Sequence, residues 1–206
     1  MHIALFGATG GTGREVIKQA IAAGHEVTAL VRDSAKIKNK EDNLYLVVGD
    51  VLDMHKVEET LAATDAVICT LGSTSNNPDN VVSQGTENII EAMQKQGLSR
   101  LVVISSMGVG DSIDQVSRSF KMLTKTVLRK AIEDKERQED AVRASDLEWV
   151  ILRPSGLTNG AATGEYQLGT DPSIEASQIS RADVAACALN QLTDDTFVGN
   201  TPSITY

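Results

Sequence analysis

Short apolar runs alternate with longer amphipathic stretches along most of this chain. Ile3-Ala4-Leu5-Phe6, Glu26 to Val31, Leu44 to Val48, Ala66 to Leu71, Leu101 to Ile104 and Trp149 to Leu152 are rich in Val, Ile and Leu. Such runs, with little polar alternation, read as strands buried on both faces. Between them, helical periodicity predicts helices over Arg14 to Gly24, Met54 to Ala62 and Val81 to Gln96, another ending near Ala144, and a last one over Ala182 to Leu192. In the third of these, Val82, Ile89, Ile90 and Met93 make an apolar stripe. Punctuation agrees with the periodicity. Gly24-His25 makes a turn, Asp53 and Ser180 are suited to cap helix starts, and Gly97 stops the helix before it. Strands alternating with helices predict an α/β fold with a parallel sheet covered on both faces.

Two stretches depart from this rhythm. From about Asp114 to Ala131, Val116, Phe120, Leu123 and Val127 share one helical face, and Arg118, Lys121, Lys125 and Arg129 share the opposite one. The expectation is one amphipathic helix docked by its apolar face; its cations are a solvated surface or, in a sharper reading, collect an acidic substrate. Phe197 to Tyr206 reads as a polar, extended tail, and Gly72 to Asp79 as a polar loop.

The first strand runs directly into Gly7-Ala8-Thr9-Gly10-Gly11-Thr12-Gly13, which in turn opens the first helix. Glycine lets the backbone turn sharply and lets a ligand approach it closely, and the first N–H groups of a helix are unpaired at the positive end of its dipole. A glycine-rich turn in that place is a phosphate cradle, and Gly7, Gly10 and Gly13 form a GxxGxxG variant of the dinucleotide fingerprint. The fold class expected is therefore a doubly wound, Rossmann-type parallel sheet, with Gly7, Thr9, Gly10, Gly11, Thr12 and Gly13 holding the cofactor's phosphates.

Length and composition narrow the function. A chain of 206 residues, 41% hydrophobic, suits one domain. A formal net charge of −9 disfavours nucleic-acid and anionic-membrane partners, which need basic surfaces. Cys69 and Cys187 show no metal or disulfide spacing. No membrane-length apolar run or leader is apparent, so a cytoplasmic setting is expected; a monomer is the separate expectation for its assembly.

At the end of the second strand, Val31-Arg32-Asp33 is the address of the residue that meets the adenosine ribose. Arg32, nineteen positions after Gly13, offers a planar fork for a 2′-phosphate, which favours NADP (NADPH). NAD is the alternative if Asp33 faces the ribose instead. Asp50 and Val51 follow the third strand and would flank the adenine; Gly72 would lie under the pyrophosphate or ribose. Ser105 and Ser106, at the end of the fifth strand, would lie where the nicotinamide sits. None of the three histidines, His2, His25 and His55, is placed to serve a nucleophile at that face, and neither a GxSxG elbow nor an HExxH motif occurs. Hydride transfer needs no nucleophile.

Ile3 to Gly13, Val27 to Asp33, Val47 to Val51, Asp65 to Ile68 with Leu71-Gly72, Val150 to Pro154, Ile179 to Val184 and the closing Pro202 to Tyr206 resemble the atypical short-chain dehydrogenase/reductase family. The resemblance is closest to its flavin reductase, or biliverdin IXβ reductase, branch and covers nearly the whole chain. It implies a Rossmann-type domain over residues 1–206 with a small C-terminal substrate lobe, substrate-site segments near 106–135 and 153–179, and NADPH-dependent reduction of flavins or linear tetrapyrroles. By matching position it implies an active-site role for Ser106; Leu71, Ser105 and Pro154 are expected at the cofactor, and Met107, Phe120, Ser155 and Gly156 on the acceptor side.

Two departures qualify the resemblance. The family's YxxxK pair falls on Ala131 and Lys135, so the tyrosine that moves a proton to a carbonyl oxygen is missing. Lys135 is then expected to be a vestige on a helix face. Ser155-Gly156 stands where the animal reductase has proline and histidine, so substrate choice does not carry over. A conjugated acceptor tolerates the missing tyrosine, because its ring takes a hydride and finds a proton in water. A dinucleotide-binding redox sensor without turnover, of the nitrogen-metabolite-repressor type, is the alternative, and a nucleotide-sugar epimerase ranks last.

Overall fold

The computed structural model describes residues 1–38, 41–74 and 79–206; the middle of the expected polar loop, 75–78, lies outside them. Strands β1 (His2–Phe6), β2 (Glu26–Val31), β3 (Leu44–Val48), β4 (Ala66–Cys69), β5 (Arg100–Ile104) and β6 (Glu148–Pro154) alternate with helices α1 (Gly11–Ala22), α2 (Met54–Leu61), α3 (Val81–Gln96), α4 (Arg118–Lys125) and α5 (Arg129–Arg143). After β6 come β7 (Gly156–Thr158), β8 (Gln167–Gly169), β9 (Gln178–Ser180), helix α6 (Arg181–Asn190) and β10 (Ser203–Thr205). The main sheet has the order β3-β2-β1-β4-β5-β6-β10-β8, and β7 pairs with β9 apart from it. All neighbours in the main sheet are parallel except β10 and β8.

The strands are continuous apolar runs because each feeds two cores. Along β1, Ile3 and Leu5 pack with Val16, Ile17 and Ala20 of α1 and Val184 and Ala188 of α6. Ala4 and Phe6 point the other way, toward Val57 of α2 and Val82, Ile89 and Met93 of α3. That alternation follows from the period of two along a strand. Order reverses on either side of β1, and in an open parallel sheet ligands settle at the carboxyl ends of the strands at such a point.

Caps fall where the side chains allow. Asp53 accepts from the backbone N–H groups of His55 and Lys56, Ser180 accepts from that of Asp183, and Gly97 closes α3 at φ 72°.

Two expectations are corrected. The stretch from Asp114 to Ala131 is not one helix: a 3-10 turn over Gly110–Gln115 precedes α4, and the chain breaks at Thr126 before α5 begins. Thr124 and Thr126 donate side-chain hydrogen bonds to the carbonyls of Lys121 and Met122, at 2.8 and 3.0 Å, a local bonding that competes with helix continuation. The apolar face is not docked along its length, since Leu123 is 40% and Val127 79% exposed. Nor is the opposite face uniformly free: Lys121 pairs with Asp114 and Arg129 with Glu133. The second correction concerns the polar tail, which is β10, parallel to β6 with Ile204 wholly buried.

Candidate active site

At the carboxyl ends of β1, β2, β3 and β4 lies a cleft of about 810 Å³. Gly7, Thr9, Gly10, Gly11, Thr12, Arg32, Asp50, Val51, Leu71 and Gly72 all line it. The glycines are there for space. Gly7 has φ 86°, and a Cβ on it would stand 2.6 Å from the backbone of Thr70 in the segment after β4. Gly13 lies beneath the loop, where a Cβ would come within 2.4 Å of the Gly7 carbonyl oxygen. Any side chain at these two positions would force the turn open.

The start of α1 is built for an anion. Gly10, its N-cap, supplies no side-chain hydrogen bond, and no acidic residue occupies the first turn. Its leading N–H groups therefore face the cleft at the positive end of the helix dipole. Arg32, Lys36 and Arg181 add positive charge to the lining, and none of them makes an ion pair among the described residues. Asp33 does not line the cleft; its carboxylate accepts from the N–H of Ala35 at 3.0 Å. Asp50 does, while its Oδ1 also accepts from the N–H of Leu52 at 3.0 Å and so shapes the turn after β3. The glycine cradle, the helix start without a side-chain cap and the three cations without an ion pair among the described residues fit a dinucleotide carrying phosphates.

The residues expected on the nicotinamide and acceptor side fall outside the described lining of this cleft. Ser105, expected at the cofactor, is 6% exposed, and its hydroxyl donates to Glu139 Oε1 at 2.5 Å. Glu139, fully buried on α5, also accepts from Nε and one terminal nitrogen of Arg153, at 3.0 and 2.7 Å. Ser106, at the end of β5, is half-buried and donates to the Met107 carbonyl at 3.0 Å. Met107, expected on the acceptor side, is 1% exposed. Its N–H donates to the carbonyl of buried Pro154, which ties the β5 loop to the end of β6. Phe120, from α4, is half-buried and packs over Gly108. Ser155 is 7% exposed, its hydroxyl without a hydrogen-bond partner among the described residues, and the Gly156 N–H donates to the Ser177 carbonyl where β7 begins.

Lys135 is no vestige. Its Nζ donates to the carbonyls of Leu71 and Ile104, at 2.9 and 2.6 Å, and to Gln138 Oε1 at 2.9 Å. Burial pushes its pKa down to about 8, against the attraction of Cys69, Glu139 and Asp134. Sequence reading missed Lys36 and Arg181 as cleft residues. Arg181 is visible only as the residue after a helix-capping serine, and nothing in the linear order brings it to the glycine loop.

Among the described residues no helix is long and apolar enough to cross a membrane, and no cluster of three or more His, Cys, Asp or Glu side chains is arranged for a metal.

This geometry has relatives. The sequence profile of a family described as NAD(P)H-binding matches residues 7–195. An uncharacterized chloroplastic protein of Arabidopsis thaliana is 31% identical over 196 residues, 90% of this chain and 70% of the relative. The uncharacterized protein YwnB of Bacillus subtilis is 30% identical over 202 residues, 93% of this chain and 92% of the relative. Among solved structures, ChuY, an anaerobilin reductase of Escherichia coli O157:H7, superposes with a TM-score of 0.86 at 27% identity, covering 100% of this chain and 97% of that one. The chain belongs to the NAD(P)H-binding family, with the Rossmann-like fold of the atypical short-chain dehydrogenase/reductases.

Proposed function

We propose that this protein is an NADPH-dependent reductase of flat, conjugated acceptors, a flavin or a linear tetrapyrrole. The observation that carries the choice of NADPH is Arg32, which lines the cleft without an ion pair among the described residues while Asp33 is turned into its own loop. A guanidinium fork there suits a 2′-phosphate, whereas an acid facing the ribose would suit NAD. When bound, the cofactor supplies the hydride. The chain holds the phosphates at the α1 start, fixes the adenosine end between Arg32 and Asp50, and keeps the ends of β4 and β5 joined through Lys135. Ala131 offers no proton, so the acceptor must find its own in water, and conjugated rings do so. Similarity to the anaerobilin reductase supports a tetrapyrrole among the acceptors.

A second reading is a sensor that binds the dinucleotide without turnover. The Ser106 hydroxyl bonded to the Met107 carbonyl and the burial of Met107 favour it, because both leave little chemistry facing an acceptor. Mixing the protein with NADPH and either FMN or biliverdin, and following absorbance at the nicotinamide band, separates the two. Acceptor-dependent oxidation above the protein-free rate is expected. Tight NADPH binding with no such oxidation would leave the sensor reading standing and remove the reductase.

A further inference from the structure

Arg181 lines the cleft at the glycine loop. It is the first residue of α6, and a Cβ on Gly11 would lie 2.6 Å from both its Cδ and its Nε, so its stem rests directly on the start of α1. The terminal nitrogen Nη1 donates to Asn159 Oδ1 at 2.8 Å. A cation parked at the positive end of a helix dipole, with a neutral amide as its partner, is electrostatically unfavourable. An anion between the two would remove that cost.

The carrier of this guanidinium is rigid. Ser180 and Asp183 cap α6 reciprocally, the Ser180 hydroxyl donating to Asp183 Oδ2 at 2.9 Å and the Asp183 N–H donating back to the hydroxyl at 2.9 Å. Asp183 also accepts from the N–H groups of Thr163 and Gly164 and from the Tyr206 hydroxyl. Gln19 of α1 donates to the Ala182 carbonyl at 2.9 Å, fastening the start of α6 beside the glycine loop. The position of Arg181 over Gly11 is thus set by the fold.

We propose that Arg181 closes the cleft over the cofactor's diphosphate, as the positive counterpart of the α1 N-terminus, with Asn159 orienting its fork. This rests on the dinucleotide reading of the cleft. Arg32 and Arg181 then divide the work: the first recognises the 2′-phosphate, the second the diphosphate that NADPH and NADH share.

Calorimetric titration of the full chain with NADPH, NADH and 2′-AMP, which lacks a diphosphate, tests this. R181A should weaken NADPH and NADH by the same factor, about ten- to a hundred-fold, and leave 2′-AMP unchanged, whereas R32A should weaken NADPH and 2′-AMP and spare NADH. N159A should reproduce part of the R181A loss, with thermal midpoints of both variants confirming that they fold. Unchanged NADPH and NADH affinity in R181A overturns the proposal while the cofactor reading stands. A loss confined to NADPH and 2′-AMP overturns it too, by moving Arg181 to the 2′-phosphate. Wild-type protein that binds neither dinucleotide overturns both readings.

Discussion

The Nζ of Lys135 bridges two strand ends, holding the carbonyls of Leu71 and Ile104 while Gln138 takes its third bond. Its proton is held weakly for a lysine, with a pKa near 8 against 10.5 in the ordinary case. Between those values the unfolded chain retains a proton that the folded protein has released, so this group makes stability rise with pH from about 8 to 10.5. Below that window both states are protonated and its contribution is flat. Urea midpoints of wild type and K135M, measured from pH 7.5 to 10, should therefore diverge upward for the wild type. Parallel curves would show that Lys135 titrates normally. The spacing from Ala131 marks Lys135 in the sequence, but not its bonds, because those depend on where β4 and β5 end relative to α5.

Helices α4 and α5 show how far local pattern reaches. Amphipathic spacing predicts continuous helix through Thr126, yet threonine hydroxyls bonding back to the chain end α4 there and leave Val127 in solvent. On α5 the polar residues are in part a buried lattice: Glu139 and Asp134 are at most 3% exposed, and Glu139 neutralises Arg153 beside Ser105. Glu139 is the buried partner of Arg153 and Asp111, at 2.6 Å, the exposed one, so removing Glu139 leaves the guanidinium with a single solvated carboxylate and costs about 1.5–3 kcal/mol, the worth of hydrogen bonds to a charged group. E139A should lower stability by about that amount, read as a shift of the urea midpoint at constant slope. A loss below about 1 kcal/mol would mean that water reaches Arg153 once the carboxylate is gone.

Across the molecule, the closing residues join pieces that are far apart in the chain. Ser203 to Thr205 form β10 between β6 and β8, and the Tyr206 hydroxyl donates at 2.6 Å to Asp183. Burial pushes the Asp183 carboxyl up, but hydrogen bonds from Tyr206, Thr163, Gly164 and Ser180 outweigh it and hold its pKa at about 2. Stability from this hub is thus complete above the ordinary value of 3.8 and is lost as pH falls from there toward 2. Y206F should flatten that acid limb and lower stability by about 1–2 kcal/mol at neutral pH, measured by urea unfolding at pH 2.5, 4 and 7. An acid limb identical to the wild type would place the dependence on another carboxylate.

Strands β1 to β6, helices α1, α2, α3 and α6, the glycine loop and the cofactor class were legible in the linear chain. Each is a local matter: a buried strand must be apolar on both faces, and a helix entered through glycine must expose its first N–H groups. Arg32 was legible for the same reason, since a strand's end is a definite address in a parallel sheet. Tertiary packing alone decided that Ser105 and Met107 turn inward, that the tail becomes β10, and that Arg181 comes to rest on Gly11. Those outcomes depend on which surfaces meet between segments 34, 50 and 170 residues apart, a relation that periodicity along the chain does not encode. Gly7 to Gly13 thus has a second wall that its own sequence does not announce.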